Sequence, residues 1–188
     1  MDQKETLHHY LQRSREALVW KLDGLSDYDI RRPLVRTGTN LLGLVKHVTV
    51  TEAEYFGLVF DRPFDPPVLI TGEENPDKWA FGGETREQII DAYRQTWAHS
   101  DATISELALD APGRVPWWPD DINPVTLHWI LVHMIAETDR HAGHADIIRE
   151  LIDGAAGIRE SSSNMPDVDD AWWEDYRARL EREAQKSR

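Results

Sequence analysis

NPVTLHWILVHMIAETDRHAGHADIIRELIDG, Asn123 to Gly154, is the stretch whose reading decides the architecture. Its apolar residues recur at helical spacing over a length no strand sustains. Asn123 is a favourable N-cap, Pro124 sits where its missing N–H costs nothing, and Gly154 can adopt the left-handed conformation that closes a last turn. A helix over 123–154 is predicted. At about 100° per residue, His133, Glu137, His141 and His144 fall within an arc of about 80°, and Ile130, Ile148 and Leu151 share that stripe. Four ionisable groups thus interrupt an apolar face. Burying them unpaired costs several kcal/mol each, and a divalent cation between imidazole and carboxylate would satisfy them. A single histidine on such a face is more often a core or surface residue than a ligand. Glu137 and His141, however, stand at i, i+4, the spacing that lets two side chains of one helix converge on an ion. A tetrahedral site then needs a third protein ligand from elsewhere.

Working outward, Thr6 to Leu22 reads as a helix with Leu7, Tyr10, Leu11, Leu18 and Leu22 on one face, ended by Gly24. LSDYDIRRPLVRTGTN follows as a connection, and its Arg31, Arg32 and Arg36 read as solvated. Thr39 or Asn40 caps a second helix to about Phe60, with Leu41, Leu44, Val45, Val48, Tyr55 and Leu58 inward. His47 lies on that inward side and is the best partner for Glu137 and His141. Asp61 to Glu84 is long and Pro/Gly-rich, but its aromatic and aliphatic content predicts an ordered lid. Thr85 and Gln88 form a capping box for a third helix to about Leu109, which buries Ile89, Tyr93, Trp97, Ile104 and Leu107 and leaves His99 solvated. Trp117 and Trp118, flanked by prolines, either plug an end of the bundle or wall the mouth of a site.

Four long helices with turns between them and no convincing strand imply an all-α four-helix bundle over residues 1–158. Residues 159–188 read as a polar linker and a short C-terminal amphipathic helix. Its Trp172, Trp173, Tyr176 and Leu180 must dock on the bundle or on a second subunit, and a homodimer is the expected form. The 188 residues include no cysteine, which removes disulfides, thiolate metal ligands and a cysteine nucleophile. A formal charge of −13 repels phosphate backbones, so neither nucleic acid nor an anionic membrane is an expected partner. No apolar run approaches a membrane span and the first ten residues lack a signal region, so a soluble cytoplasmic protein is expected.

GTNLLGLVKHV (Gly38 to Val48) and RHAGHADIIRELIDG (Arg140 to Gly154), with LVHMIAET and WWEDYRARLERE, resemble the DinB/YfiT-like superfamily of four-helix-bundle metalloenzymes. The resemblance implies a divalent metal, zinc or nickel, held by one ligand from the second helix and two from the last. Carried over by position, these are His47, Glu137 and His141. Many relatives have histidine at all three places; the glutamate here is similar to the mycothiol-dependent maleylpyruvate isomerase branch, and a carboxylate favours harder ions than imidazole does. His144 is the reserve ligand and, with His133, a candidate catalytic or supporting residue; Trp117 and Trp118 are the candidate wall of a cofactor pocket. The resemblance further implies a zinc-dependent S-transferase acting on a small substrate with a low-molecular-weight thiol such as mycothiol. A chain without cysteine would need such a cosubstrate for thiol chemistry. A hydrolase using activated water and a non-catalytic metal- or ligand-binding bundle are the alternatives.

Overall fold

A computed structural model describes residues 1–188. Six α-helices carry the chain: α1 (Gln3–Trp20), α2 (Asp27–Arg31), α3 (Leu41–Phe56), α4 (Arg86–Glu106), α5 (Leu127–Asp153) and α6 (Asp170–Gln185). The expected all-α bundle is the fold. α3 lies between α4 and α5, and α1 packs on the other side of α5. No helix is long and apolar enough to cross a membrane.

Local chemistry sets the helix ends. Asp2 and Glu5 make a reciprocal capping box that starts α1 three residues earlier than Thr6. Asn40 caps α3 by accepting from the Gly43 N–H, and Thr85 with Gln88 boxes the start of α4. α3 stops at Phe56 rather than Phe60, because the chain breaks at Gly57 and continues as a 3-10 turn over Leu58–Phe60. That break rotates Leu58 outward, where it is exposed instead of buried. Tyr10 likewise lies at the exposed edge of its stripe.

The start of α5 also differs from expectation. Asn123 accepts from the Val115 N–H and donates to the carbonyls of Val115, Trp118 and Pro119, so its amide closes the preceding loop instead of capping a helix. Val125–Thr126 (β2) pairs antiparallel with Pro112–Gly113 (β1), and Thr126 then caps α5 by accepting from the Trp129 N–H. Gly154 ends α5 at φ 78°, as its position predicted. Leu151, expected inward, is exposed, since neighbours of this last turn lie on the Arg149 side, where the guanidinium donates to the Lys21 and Asp23 carbonyls.

Two apolar clusters fill the interior. One gathers Leu18, Val45, Val48, Ile89, Tyr93 and Ile148; the other gathers Leu11, Phe56, Ile104, Leu127, Ile130 and Met134. Between them, halfway along the helices, runs a buried polar belt of Arg15, Thr49, Glu52, Thr96, Ser100 and Thr138. At its centre Arg15 and Glu52 are both fully buried, joined by Nη2 to Oε1 at 2.5 Å and Nε to Oε2 at 3.2 Å. Arg15 also donates to Asp101 Oδ1 at 2.8 Å, so one guanidinium ties α1 to α3 and α4. Burial alone would pull this guanidinium's pKa down, but Glu52, then Asp101, outweigh it and hold the group charged. Removing one partner of such a pair strands the other. Glu52→Gln or Arg15→Met is expected to destabilise the bundle by about 3–5 kcal/mol in urea unfolding, with Arg15→Met/Glu52→Leu together recovering most of the loss. Equal stability of wild type and the single variants would remove the pair's structural role.

Candidate metal centre

α3 and α5 face each other at the level of the polar belt, and there the interior opens to one side. His47 from α3 and Glu137 and His141 from α5 meet with their ligand atoms all within 4.8 Å of one another. His47 Nε2 lies 3.7 Å from Glu137 Oε1, and His141 Nε2 lies 3.0 Å from the same oxygen. The two imidazole centroids are 4.8 Å apart, edge to face. In a tetrahedral zinc site with bonds of about 2.0–2.1 Å, ligand atoms stand about 3.4 Å apart. The two separations from Glu137 Oε1 bracket that value, and two imidazoles with one carboxylate are a sound donor set for a divalent transition ion.

The ionisation states suit the same role. Burial, then the neighbouring His47, hold the His141 imidazolium below its usual pKa range against the pull of Glu137. Burial pushes the Glu137 carboxyl up, but His141, followed by His47 and His133, outweighs it and leaves the group below the usual glutamate range. A neutral imidazole and an ionised carboxylate are the forms that ligate.

Sequence reasoning missed the group that aims His47. Asp77, in the 61–84 loop, places Oδ2 2.5 Å from His47 Nδ1. With Nδ1–H donated to Asp77, His47 turns the lone pair of Nε2 toward Glu137 and His141, the arrangement in which an outer carboxylate orients a ligating histidine. No spacing signal could reveal this, because Asp77 lies 30 residues from His47. The loop is delivered by Lys46, the residue before His47. Fully buried, its ammonium donates to the Leu69 carbonyl at 2.6 Å, the Trp79 carbonyl at 3.2 Å and Glu84 Oε2 at 2.8 Å. Glu84 also accepts from the N–H groups of Leu69 and Phe81. Gly43 lets the loop lie directly on α3, since a Cβ there would collide with the Lys78 carbonyl.

A cavity of about 1020 Å³ opens over the three residues, lined among others by Arg31, Thr37, Asn40, Lys78, Trp79 and Arg140. Trp79 walls it, and the 61–84 loop, expected to be an ordered lid, borders it. Trp117 and Trp118 do not line it: both pack edge-on against Tyr55, and Trp118 joins the apolar cluster of Leu11, Leu127 and Met134 and covers that end of the bundle. The Asn123 clasp holds the backbone of Trp118 there, and Trp117 stays half-exposed. His133 is enclosed by Tyr55 and Trp118, with centroids at 4.6 and 5.1 Å, and burial lowers its pKa against the opposing Glu137. His144 is exposed in the cavity with Nδ1 3.4 Å from His141 Nδ1, outside the three-residue group; it can take the proton that His141 carries on that nitrogen when Nε2 ligates. Arg31, expected to be solvated, is half-buried in the cavity wall. His99 is not solvated either: Phe64 of the loop stacks on it at 4.9 Å.

Metal-free protein titrated with zinc in a calorimeter is expected to take up one ion. His141→Ala should abolish that uptake, and Asp77→Asn should weaken it about 10–100-fold while leaving the helical signal intact. Unchanged affinity in Asp77→Asn would reduce Asp77 to a loop anchor.

No curated protein sequence matches this chain. A crystal structure of a conserved protein from Enterococcus faecalis superposes with a TM-score of 0.64 at 14% identity, covering 82% of this chain and 99% of that one. That likeness shows the shared fold. The family model described as mycothiol-S-transferase matches residues 6–154, a span that contains His47, Glu137, His141 and every residue of the cavity wall and ends at the Gly154 cap. The chain belongs to the mycothiol-S-transferase family of DinB/YfiT-like bundles.

Proposed function

We propose that the protein is a zinc-dependent S-transferase that joins a low-molecular-weight thiol, mycothiol, to an electrophilic carbon. One observation carries the reading: His47, Glu137 and His141 converge at the floor of an open cavity in a chain that has no cysteine of its own. Nickel is the second candidate ion, and Glu137 holds the middle ligand place in preference to His144. A divalent ion held there would supply the positive charge that makes a thiol acidic near neutral pH.

The chain's own residues prepare the rest. Asp77 fixes the ring of His47, His144 backs His141, and the loop clamped by Lys46 and Glu84 roofs the site. Thr37, Thr39 and Asn75 on the cavity wall offer neutral donors and acceptors suited to the hydroxyls and amide of a sugar-bearing thiol. In an addition to an activated double bond the thiol gives up its proton, the sulfur–carbon bond forms as the π pair shifts to the neighbouring carbon, and that carbon takes up one proton. No oxidant or reductant is required. The same open place would serve a hydrolase that activates water, and the cavity's capacity for a whole sugar-bearing thiol favours the transferase.

Calorimetry of zinc-loaded protein with mycothiol is expected to show one-site binding with release of a proton near pH 7, and thiol consumption only when an electrophile is present. Glu137→Ala should lose both while remaining helical. Ester or amide turnover without added thiol would instead establish the hydrolase, and an intact metal site with no turnover of either kind would establish a binding module.

We also propose a cytoplasmic homodimer held through α6. Trp172, Trp173 and Tyr176 cluster on one side of that helix, which lies beyond the family match and packs only sparsely on the bundle. Sedimentation should give twice the chain mass for residues 1–188 and a single mass for a chain truncated before Ser161. A monomer in both would overturn the proposal.

A further inference from the structure

The charge on the cavity wall runs against the charge of the molecule. The chain carries −13, and eleven of its 21 lysines and arginines are paired with carboxylates. Arg31, Lys78 and Arg140 all line the metal cavity and none of them is in an ion pair. They arrive from three separate elements: Arg31 ends α2, Lys78 follows the loop's Asp77, and Arg140 precedes His141 on α5. Three unpaired cations gathered in one concave site, on an otherwise acidic protein, mark a place that accepts negative charge.

Arg31 is the most telling. It is half-buried, and a terminal guanidinium nitrogen is anchored by donation to the Glu84 carbonyl at 2.6 Å, the same residue whose carboxylate clamps the loop. The remaining donors of its planar fork have no protein acceptor. A guanidinium that is partly withdrawn from water, fixed in place and left without a carboxylate is arranged for an external oxyanion. Glu137 cannot serve as that partner, because its carboxylate is engaged with His47 and His141, and Glu74, the other acid on the wall, pairs with none of the three cations.

We propose that Arg31 and Arg140, with Lys78 at the rim, bind an oxyanion group of the second substrate, so that the electrophile is an organic acid bearing a carboxylate or a phosphate. Mycothiol has no fixed negative charge outside its thiol, which leaves the anion to the other reactant. This assignment rests on the transferase reading only for which reactant carries the anion; the oxyanion site itself stands on the cavity.

The test is binding of unreactive probes, followed by calorimetry or ligand-observed NMR, to the full chain with and without zinc. Succinate and inorganic phosphate are the charged probes, and succinamide is the neutral counterpart of the first. Succinate or phosphate should bind saturably and succinamide should not, the tighter of the two naming the anion. Arg31→Gln and Arg140→Gln should each weaken binding about tenfold, and raising the salt concentration should weaken it in the wild type more than in either variant. Arg31→Lys, which keeps the charge and loses the fork, should fall between. These side chains lie outside the core, and unchanged thermal unfolding confirms that the variants are folded. Equal binding of succinate and succinamide, or no saturable anion binding by the wild type, overturns the proposal. So does binding that requires zinc and is unaffected by either arginine substitution, because the anion would then be a metal ligand only. Failure of the thiol to bind would sink the transferase and leave a positive result here standing.

Discussion

A charge taken out of water at the middle of a helical bundle must bring its partners with it, and Arg15 of α1 draws them from two other helices at once. Its bidentate contact with Glu52 and its further bond to Asp101 place α1, α3 and α4 in one register. Sliding any of these helices by a turn would leave a buried ion alone, a cost of several kcal/mol that apolar packing does not impose, since hydrophobic contacts are non-directional. The two apolar clusters supply most of the driving force on either side of this belt. The belt decides which of the bundle's many near-equivalent packings is native.

The same register sets the candidate metal centre. Thr138 belongs to the belt, and Glu137 stands beside it in sequence about 100° around α5, so fixing the belt fixes the level at which Glu137 leaves the interior. On α3 the neighbours Lys46 and His47 divide the work in a similar way. Lys46 is withdrawn completely into a cage of loop carbonyls and Glu84, and His47 turns toward α5. A lysine buried without such a cage would lose its proton or unfold the loop. With the cage intact, the loop is held closely enough to carry Asp77 to His47 and Lys78 and Trp79 to the cavity wall.

Support for the ligands therefore comes from outside the bundle's own repeat. Asp77 belongs to an irregular segment, and that segment is ordered by one buried cation, one acidic residue that accepts three hydrogen bonds, and a glycine that permits contact with the helix. In Glu84, burial raises the carboxyl pKa, but Lys46 and the two backbone donors outweigh it and leave it below the usual range. The clamp is thus at full strength above the ordinary glutamate range and weakens as the pH falls through the lowered value.

Local rules determined a large share of this protein. The 3.6-residue period of the apolar positions, the capping residues Asn40 and Thr85 and the left-handed glycine at Gly154 mark the helices, because each acts within a turn of its own position. The i, i+4 pair of Glu137 and His141 and the inward place of His47 on α3 were legible for the same reason. What tertiary structure alone decided are interactions between residues far apart in sequence. Asn123 was diverted from capping α5 to closing the tryptophan loop, Trp118 went to the apolar cluster around Leu127 and Met134, and Trp117 lies half-exposed against Tyr55, neither of them in the cavity. Asp77 became the partner of His47, and Arg31 moved from an expected solvated turn to the wall of the site. Each depends on where the chain returns in space, and a local pattern of side chains carries no record of that path.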